Sequence, residues 1–202
     1  MMKLKILLIA ILTIVGLNTV NAQQGYSEFQ LNYLPSLPLG ETKDFTSKFS
    51  FRGLGIEYNY YIQDHLSVGL ATGIVTYYEA SDGIQSLTVV EDGNNVTLSA
   101  KQYNYTNVIP ILANGTYYLQ PSGQVQPYIG LGIGGYYVMR WVEMGLYQVK
   151  DDKMQFGVAP KVGVMAPLSY GLALNLGLQY NSAFGDQPFN SLDFKIGLAW
   201  KY

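Results

Sequence analysis

The chain has 202 residues, a formal net charge of −2, 18 Tyr, 22 Gly and no Cys, and only 13% of its residues are charged. The lack of cysteine excludes disulfides, thiolate metal sites and a lipidated amino-terminal cysteine, and the acidic balance offers no basic patch for nucleic acid. An ordinary soluble domain carries about 25% charge, so low charge with abundant Tyr and Gly and no spanning apolar helix points towards a β-barrel in a membrane.

The first residues stand apart. Met1-Met-Lys-Leu-Lys5 is a basic start, residues 6–17 form an apolar run, and Val20-Asn21-Ala22 offers compact residues at the −3 and −1 positions of a cut. This is the layout of a secretory signal peptide over residues 1–22. An uncleaved anchor is the alternative, but the run is shorter than the ~20 residues a spanning helix needs. Cleavage after Ala22 leaves a barrel domain over 23–202 and, with Lys3 and Lys5 gone, takes the formal charge from −2 to −4.

Eight segments of period-two alternation follow. The first, 26–34, opposes Phe29, Leu31 and Tyr33 to Glu28, Gln30 and Asn32. The second, 51–62, sets Leu54, Ile56, Tyr58, Tyr60 and Ile62 against Gly53, Gly55, Glu57, Asn59 and Tyr61. The third, 66–78, opposes Leu66, Val68, Leu70, Ile74 and Tyr78 to Ser67, Gly69, Ala71 and Gly73. In the fourth, 102–119, Tyr103, Tyr105, Ile109, Ile111, Tyr117 and Leu119 are expected outward, against the apolar signal of Val108 and Leu112. Pro110 lacks a ladder donor, so a bulge or local break is expected there.

The fifth, 125–141, places Ile129, Leu131, Ile133, Tyr137 and Trp141 opposite Tyr128, Gly130, Gly132, Gly134 and Tyr136. The sixth, 154–168, sets Phe156, Val158, Val162 and Val164 against Gln155, Gly157, Ala159, Lys161 and Gly163. In the seventh, 172–180, Leu172, Leu174, Leu176, Leu178 and Tyr180 oppose Ala173, Asn175, Gly177 and Gln179. The eighth, 191–202, separates Leu192, Phe194, Ile196, Leu198, Trp200 and Tyr202 from Asp193, Lys195, Gly197, Ala199 and Lys201.

Short connections (Gln63-Asp64-His65, Gln120-Pro-Ser-Gly-Gln124, Ser169-Tyr-Gly171) alternate with long ones, read as loops over 35–50, 79–101, 142–153 and 181–190. The prediction is all-β: an eight-stranded antiparallel up-and-down transmembrane barrel with both termini at the short-turn end. Tyr33, Tyr78, Trp141, Tyr180, Trp200 and Tyr202 fall near strand ends on the apolar face, where an interfacial girdle lies. A soluble lipocalin-type barrel also alternates. It is disfavoured because the non-apolar face is mainly Gly, Ala, Asn and Gln, whereas a water-facing strand face usually holds many Lys and Glu. Inside a narrow barrel such glycines make room for Tyr and long charged side chains.

Three stretches carry a resemblance. Lys195-Ile-Gly-Leu-Ala-Trp-Lys-Tyr202 resembles the carboxyl-terminal assembly signal of outer-membrane proteins, with Lys195, Gly197, Trp200 and Tyr202 in its places. Gln126-Pro-Tyr-Ile-Gly-Leu-Gly-Ile-Gly-Gly135 is similar to a glycine-rich strand of the OmpA-like and opacity-type barrels, and Val108-Ile-Pro-Ile-Leu-Ala113 with Tyr117-Tyr118 to the strand before it. The resemblance implies a Gram-negative outer-membrane location with periplasmic termini, contact with outer-membrane lipid, and biogenesis through periplasmic chaperones and the barrel-assembly machinery. It names no single activity, since anchors, pores, adhesins and a few lipid enzymes share this barrel. No peptidoglycan-binding domain follows Tyr202 in this sequence, so the anchoring role of two-domain relatives is not expected.

Each candidate site has a plainer reading. Gly130, Gly132 and Gly135 match the spacing of a dinucleotide fingerprint, but that motif needs a helix where β-prone residues follow. His65, the only histidine, sits in a short turn at the predicted periplasmic end rather than near the outer rim or the lipid-facing surface, which disfavours a lipid hydrolase. Glu91-Asp92, Asp151-Asp152 and Asp186 lack the spacing of a calcium loop and read as solvated charge. No catalytic, cofactor-binding or metal-binding residue is therefore assigned. The inward charges carry more weight, because a charge in a narrow lumen must find a partner or keep water. The expectation is a network of Glu57 with Lys161, Lys195 or both, and a second pair of Glu28 with Lys201. The reading is a non-enzymatic, monomeric barrel acting as a structural or surface-interaction protein through its loops, and a narrow OmpW-like channel for small or apolar solutes is the alternative.

Overall fold

A computed structural model describes residues 25–91, 94–121, 124–145 and 147–202, without the side chains of residues 85–99 and 147. The signal-peptide expectation and the Glu91-Asp92 side chains lie outside the described residues.

The elements in chain order are β1 (Ser27–Tyr33), β2 (Ser36–Leu39), α1 (Gly40–Phe45), β3 (Gly53–Gln63), β4 (Leu66–Glu91), β5 (Asn94–Tyr118), β6 (Gln126–Met144), β7 (Tyr147–Ser169), β8 (Leu172–Phe184) and β9 (Phe189–Lys201). Each strand from β3 to β9 pairs antiparallel with the next, and β1 joins β3 on one side and β9 on the other, closing the ring. Closure leaves no sheet edge, the condition for a sheet in hydrocarbon.

β1 and β2 are one barrel strand interrupted at Leu34-Pro35. Tyr33 lies opposite Ile196 and Ser36 opposite Asp193, so β2 resumes the pairing with β9 in the same register. Pro35 has no N–H to give the ladder, but its carbonyl accepts from Phe194 N at 2.8 Å. Eight strands result, and a barrel of that size has an interior just wide enough for side chains to fill.

The alternation holds on every strand. Leu54, Ile56 and Tyr58 on β3, Leu70 and Ile74 on β4, Leu131 and Ile133 on β6, and Ile196 and Leu198 on β9 are exposed outward. Glu28, Asn59, Tyr61, Tyr118, Tyr128, Lys161 and Lys195 are buried inward. Val108 and Leu112 of β5 are buried in the lumen, leaving Ile111 and Tyr117 outward.

Of the bulge or local break expected at Pro110 the structure has the local break, and two loop expectations are corrected. Pro110 makes no bulge: β5 stays in register with β6 throughout, and on the β4 side Thr72 pairs with Ile111 and Val75 with Val108 without a shift. Only the intervening pairs with β4 are missing, a local break that the absent donor explains. Residues 79–91 with 94–101, and 142–144 with 147–153, are not loops but extensions of the β4–β5 and β6–β7 hairpins. β4 and β5 run 26 and 25 residues, far beyond the ~9–11 that cross a bilayer. The turn-like Ser81-Asp82-Gly83 instead marks a register shift between Ala80 and Ile84. Residues 35–50, finally, contain β2 and α1.

Candidate functional site: the filled lumen

At mid-height Glu57 reaches across the barrel. Its Oε2 lies 2.8 Å from Lys161 Nζ, and its Oε1 is paired with Lys195 Nζ. β3 and β7 stand on opposite sides of the ring, with three strands between them either way, so the Glu57–Lys161 bridge spans the lumen. Glycine opposite makes the bridge fit: a Cβ on Gly130 would lie 2.8 Å from Lys161 Cε. One carboxylate serves two ammonium groups, and Asp193 is buried two residues before Lys195 on the same inward face. Buried charges persist only when paired and hydrogen-bonded.

Below, towards the short turns, Glu28 is fully buried. It accepts from Tyr61 Oη at 2.8 Å, Gln30 Nε2 at 2.6 Å and Asn59 Nδ2 at 3.2 Å. Lys201 Nζ lies 3.8 Å from Glu28 but donates to Gln126 Oε1 at 3.0 Å, and it sits 4.9 Å from the ring centroid of Tyr61. Tyr61 and Tyr118 stack at 5.2 Å, and Tyr128 donates to Asn175 Oδ1 at 2.8 Å. A Cβ on Gly163 or Gly177 would approach Tyr128 Oη to 2.5 or 2.7 Å. These tyrosines therefore occupy space that the inward glycines leave open.

Above the central bridge Asp193 accepts from Ser36 Oγ at 2.5 Å, Ser191 Oγ at 2.9 Å and Asn181 Nδ2 at 2.7 Å. A cavity of about 30 Å³, bordered by Glu57, Asp193, Lys195, Leu112 and Pro110, adjoins this group and has room for about one water; above lies an apolar layer that meets the group through Tyr77 on Ser36 and Tyr136 on Asn181. Val75, Tyr77, Val108, Tyr136, Val138 and Phe189 form that layer.

α1 and the residues after it close the mouth. Thr42 Oγ1 accepts from Asn190 N at 2.9 Å, Thr46 Oγ1 meets Thr106 Oγ1 at 3.3 Å, and Asn104 Nδ2 donates to Phe45 O at 3.0 Å. Arg140 donates through Nη2 to Pro188 O at 2.8 Å and lies 5.5 Å from the Phe45 ring centroid. The sequence reading places Asp193 inward but gives it no partner, and it assigns no role to Ser36, Thr42, Thr46 or Arg140. Ser36, Thr42 and Thr46 lie in a segment with no alternation to signal them, and the alternation around Arg140 gives its face but not its partner.

The girdle residues divide by level. Trp200 and Tyr202 lie at the short-turn end, with Phe29 6.1 Å from Trp200. Tyr33, Tyr78, Trp141 and Tyr180 lie towards the long hairpins, where Tyr105 stacks on Trp141 at 4.9 Å and an 8° interplanar angle. Tyr103 and Tyr105, which the sequence reading places outward without a girdle role, continue this row beside Tyr78. In β9, Lys195 and Gly197 point inward and Trp200 outward, and Tyr202 exchanges two backbone hydrogen bonds with Ser27 across the closing seam. Gly130, Gly132 and Gly135 lie inside β6 with no helix at them. His65 is in the turn between β3 and β4, its Nδ1 donating to Tyr118 O at 2.8 Å.

A closed antiparallel barrel with a wet-chemistry interior and an apolar exterior belongs to the transmembrane class. Residues 10–202 match the model of the outer membrane protein beta-barrel domain family, and the chain belongs to that family, whose members are proteins of the bacterial outer membrane. Among solved structures it is similar to Neisserial surface protein A, at 17% identity and a TM-score of 0.55, covering 88% of this chain and 96% of that one. It is similar to Ail, the attachment invasion locus protein of Yersinia pestis, in complex with the heparin analogue sucrose octasulfate: 13% identity, TM-score 0.53, 89% and 99% covered. The amino-terminal barrel of Pseudomonas aeruginosa OprF follows at 10% identity and a TM-score of 0.50, with 89% and 98% covered. At these identities the likeness is one of fold. No curated protein sequence matches the chain.

Proposed function

We propose that this is a non-enzymatic, monomeric outer-membrane barrel with a structural or surface-interaction role carried by its long hairpins, and a lumen that does not conduct. The Glu57 bridge to Lys161 and Lys195 carries the reading, because it ties opposite walls together at mid-height. Tyrosine layers below it and an apolar layer above it add to the block. In the channel reading an ion would have to separate a buried pair and then cross an apolar constriction. Steady large conductance in planar bilayers with purified protein overturns the sealed-lumen reading, and silence at the baseline supports it.

The same reading sets the short turns and both termini in the periplasm and the hairpins outside, the usual layout of such barrels. Residues 1–22 then act as a cleaved signal peptide. Lys195, Gly197, Trp200 and Tyr202 act as the assembly signal read by the barrel-assembly machinery after delivery by chaperones. The native chain has no cysteine, so Asp82→Cys in the exposed part of the β4–β5 hairpin is a clean probe. Labelling of intact cells by an impermeant maleimide is the expected result, and labelling only after lysis reverses the orientation. The names of Ail, an attachment invasion locus protein, and of Neisserial surface protein A support this reading by analogy of fold alone.

A further inference from the structure

Above the barrel the sheet continues as hairpins of unequal length. On its β3 side β4 keeps a neighbour up to Thr76, whose N–H donates to Arg52 O at 2.8 Å. The residues after α1 reach the next stretch, where Ser47 Oγ donates to Glu79 Oε1 at 2.9 Å. On the other side the β5–β6 ladder ends at Gln102 and Met144. From Ile84–Lys101 to Glu91–Asn94, β4 and β5 pair with each other and, among the described residues, with no third strand. A two-stranded hairpin alone in water is marginally stable, and a further strand is what it lacks. Its edges present backbone donors and acceptors that another extended backbone matches one for one.

The two edges of this hairpin differ. The β6–β7 turn stands at the foot of the β5 edge, where a Cβ on Gly145 would lie 3.7 Å from Ala100 Cβ. No such turn adjoins β4 over Ile84–Glu91 among the described residues. The sequence there, Ile84-Gln-Ser-Leu-Thr-Val-Val90, holds no charge, proline or glycine, a composition that favours strand pairing. Natural sheets blunt a free edge with charge. β7 does so: beyond Phe156, where its pairing with β8 stops, it carries Lys150-Asp-Asp-Lys153. The β4 edge is left able to pair, and its ends are acidic, with Asp82 before it and Glu91 at its tip.

A second copy fits this edge poorly. Copies in one membrane point the same way, so β4 meets another β4 in parallel, the weaker pairing. The antiparallel match, β4 against β5 of the next copy, needs a shift of two strand spacings, roughly 10 Å. An eight-stranded barrel is wider than that, roughly 16 Å across its backbone at ~40° tilt.

We propose that the β4 edge over Ile84–Glu91 binds an extended segment of another protein at the cell surface by antiparallel strand addition. The segment has an uncharged, β-prone centre and basic residues at its ends, to face Asp82 and Glu91. This rests on the surface-interaction reading and deepens it. Backbone pairing supplies the contact, and the end charges select the partner.

The test is amide hydrogen exchange of the purified chain in detergent micelles, read by mass spectrometry. The probe is a synthetic octapeptide of alternating threonine and valine with a lysine at each end, N-methylated along one edge to prevent its self-association. At ten times its dissociation constant, exchange of the outward amides over 84–91 should slow roughly tenfold, with 94–101 unchanged. The same peptide ended in aspartate should bind more weakly. Of Leu87 and Thr88, neighbours in a strand, one aims its N–H at β5 and the other outward. Between Leu87→Pro and Thr88→Pro, the variant that keeps the β4–β5 ladder should therefore lose the peptide's effect. No slowing in wild type overturns strand addition, and slowing retained by both proline variants does the same. Slowing confined to 94–101 overturns the choice of edge, and equal effects of the two peptides overturn the charge assignment. Protection that rises with protein concentration without peptide assigns the edge to a second copy and overturns the proposal. Failure of the surface reading shows separately, as Asp82→Cys labelled only after lysis with the peptide effect intact.

Discussion

The inner and outer faces of the same strands are built from one alternation and obey opposite rules. On β9, Asp193 and Lys195 point into a packed lumen while Phe194, Ile196 and Leu198 point out. Inward groups are specified one by one, because each buried polar atom needs a particular partner. Outward groups need only be apolar and of adequate size, since lipid conforms to them. The contrast separates geometric demand from compositional demand within single strands.

The largest test of this contrast is Glu57→Ala, which leaves Lys161 and Lys195 buried without their carboxylate. A loss of about 3–5 kcal/mol is expected in urea unfolding from lipid vesicles, and a loss below that of an outward substitution would erase the contrast. Next is Leu176→Arg on the outward face of β8. It should cost ~2–4 kcal/mol at the bilayer midplane, whereas Leu176→Ile should be close to neutral. Tyr61→Phe sharpens the inner rule: it deletes the hydroxyl donated to Glu28 and should cost about 1.5–3 kcal/mol. The smallest effect is the stacking of Tyr105 on Trp141. A double-mutant cycle to leucine at both positions should return a coupling of ~0.5–1.5 kcal/mol. Zero coupling would make the outer rim row a set of independent interface anchors.

The sequence was legible wherever one face of a strand is apolar and the other is not. Alternation in Leu172, Leu174, Leu176 and Leu178 against Ala173, Asn175 and Gly177 reports lipid on one side and lumen on the other, and it needs no long-range information. It also separates Val108 and Leu112 from their outward neighbours once the register is counted from Tyr103. Beyond the membrane this signal vanishes. The β4–β5 extension has no consistently apolar face in its sequence, so its strands read as polar loop, and only the ladder from Ile84–Lys101 onwards reveals it. The same holds for α1: a helix of 6 residues is too short for periodicity to register.

Sequence by itself determined the barrel, the faces of its strands, the inward position of Glu28, Glu57, Lys161, Lys195 and Lys201, and the outward position of the girdle aromatics. These follow from the period of two, a local property of an extended chain. Tertiary structure alone decided that the Glu57 carboxylate is shared by both Lys161 and Lys195, that Asp193 takes Ser36 from beyond the Pro35 interruption, and that Thr42 and Arg140 close the mouth. Which inward residues share a level depends on the tilt and stagger with which eight strands close, and no single strand carries that information.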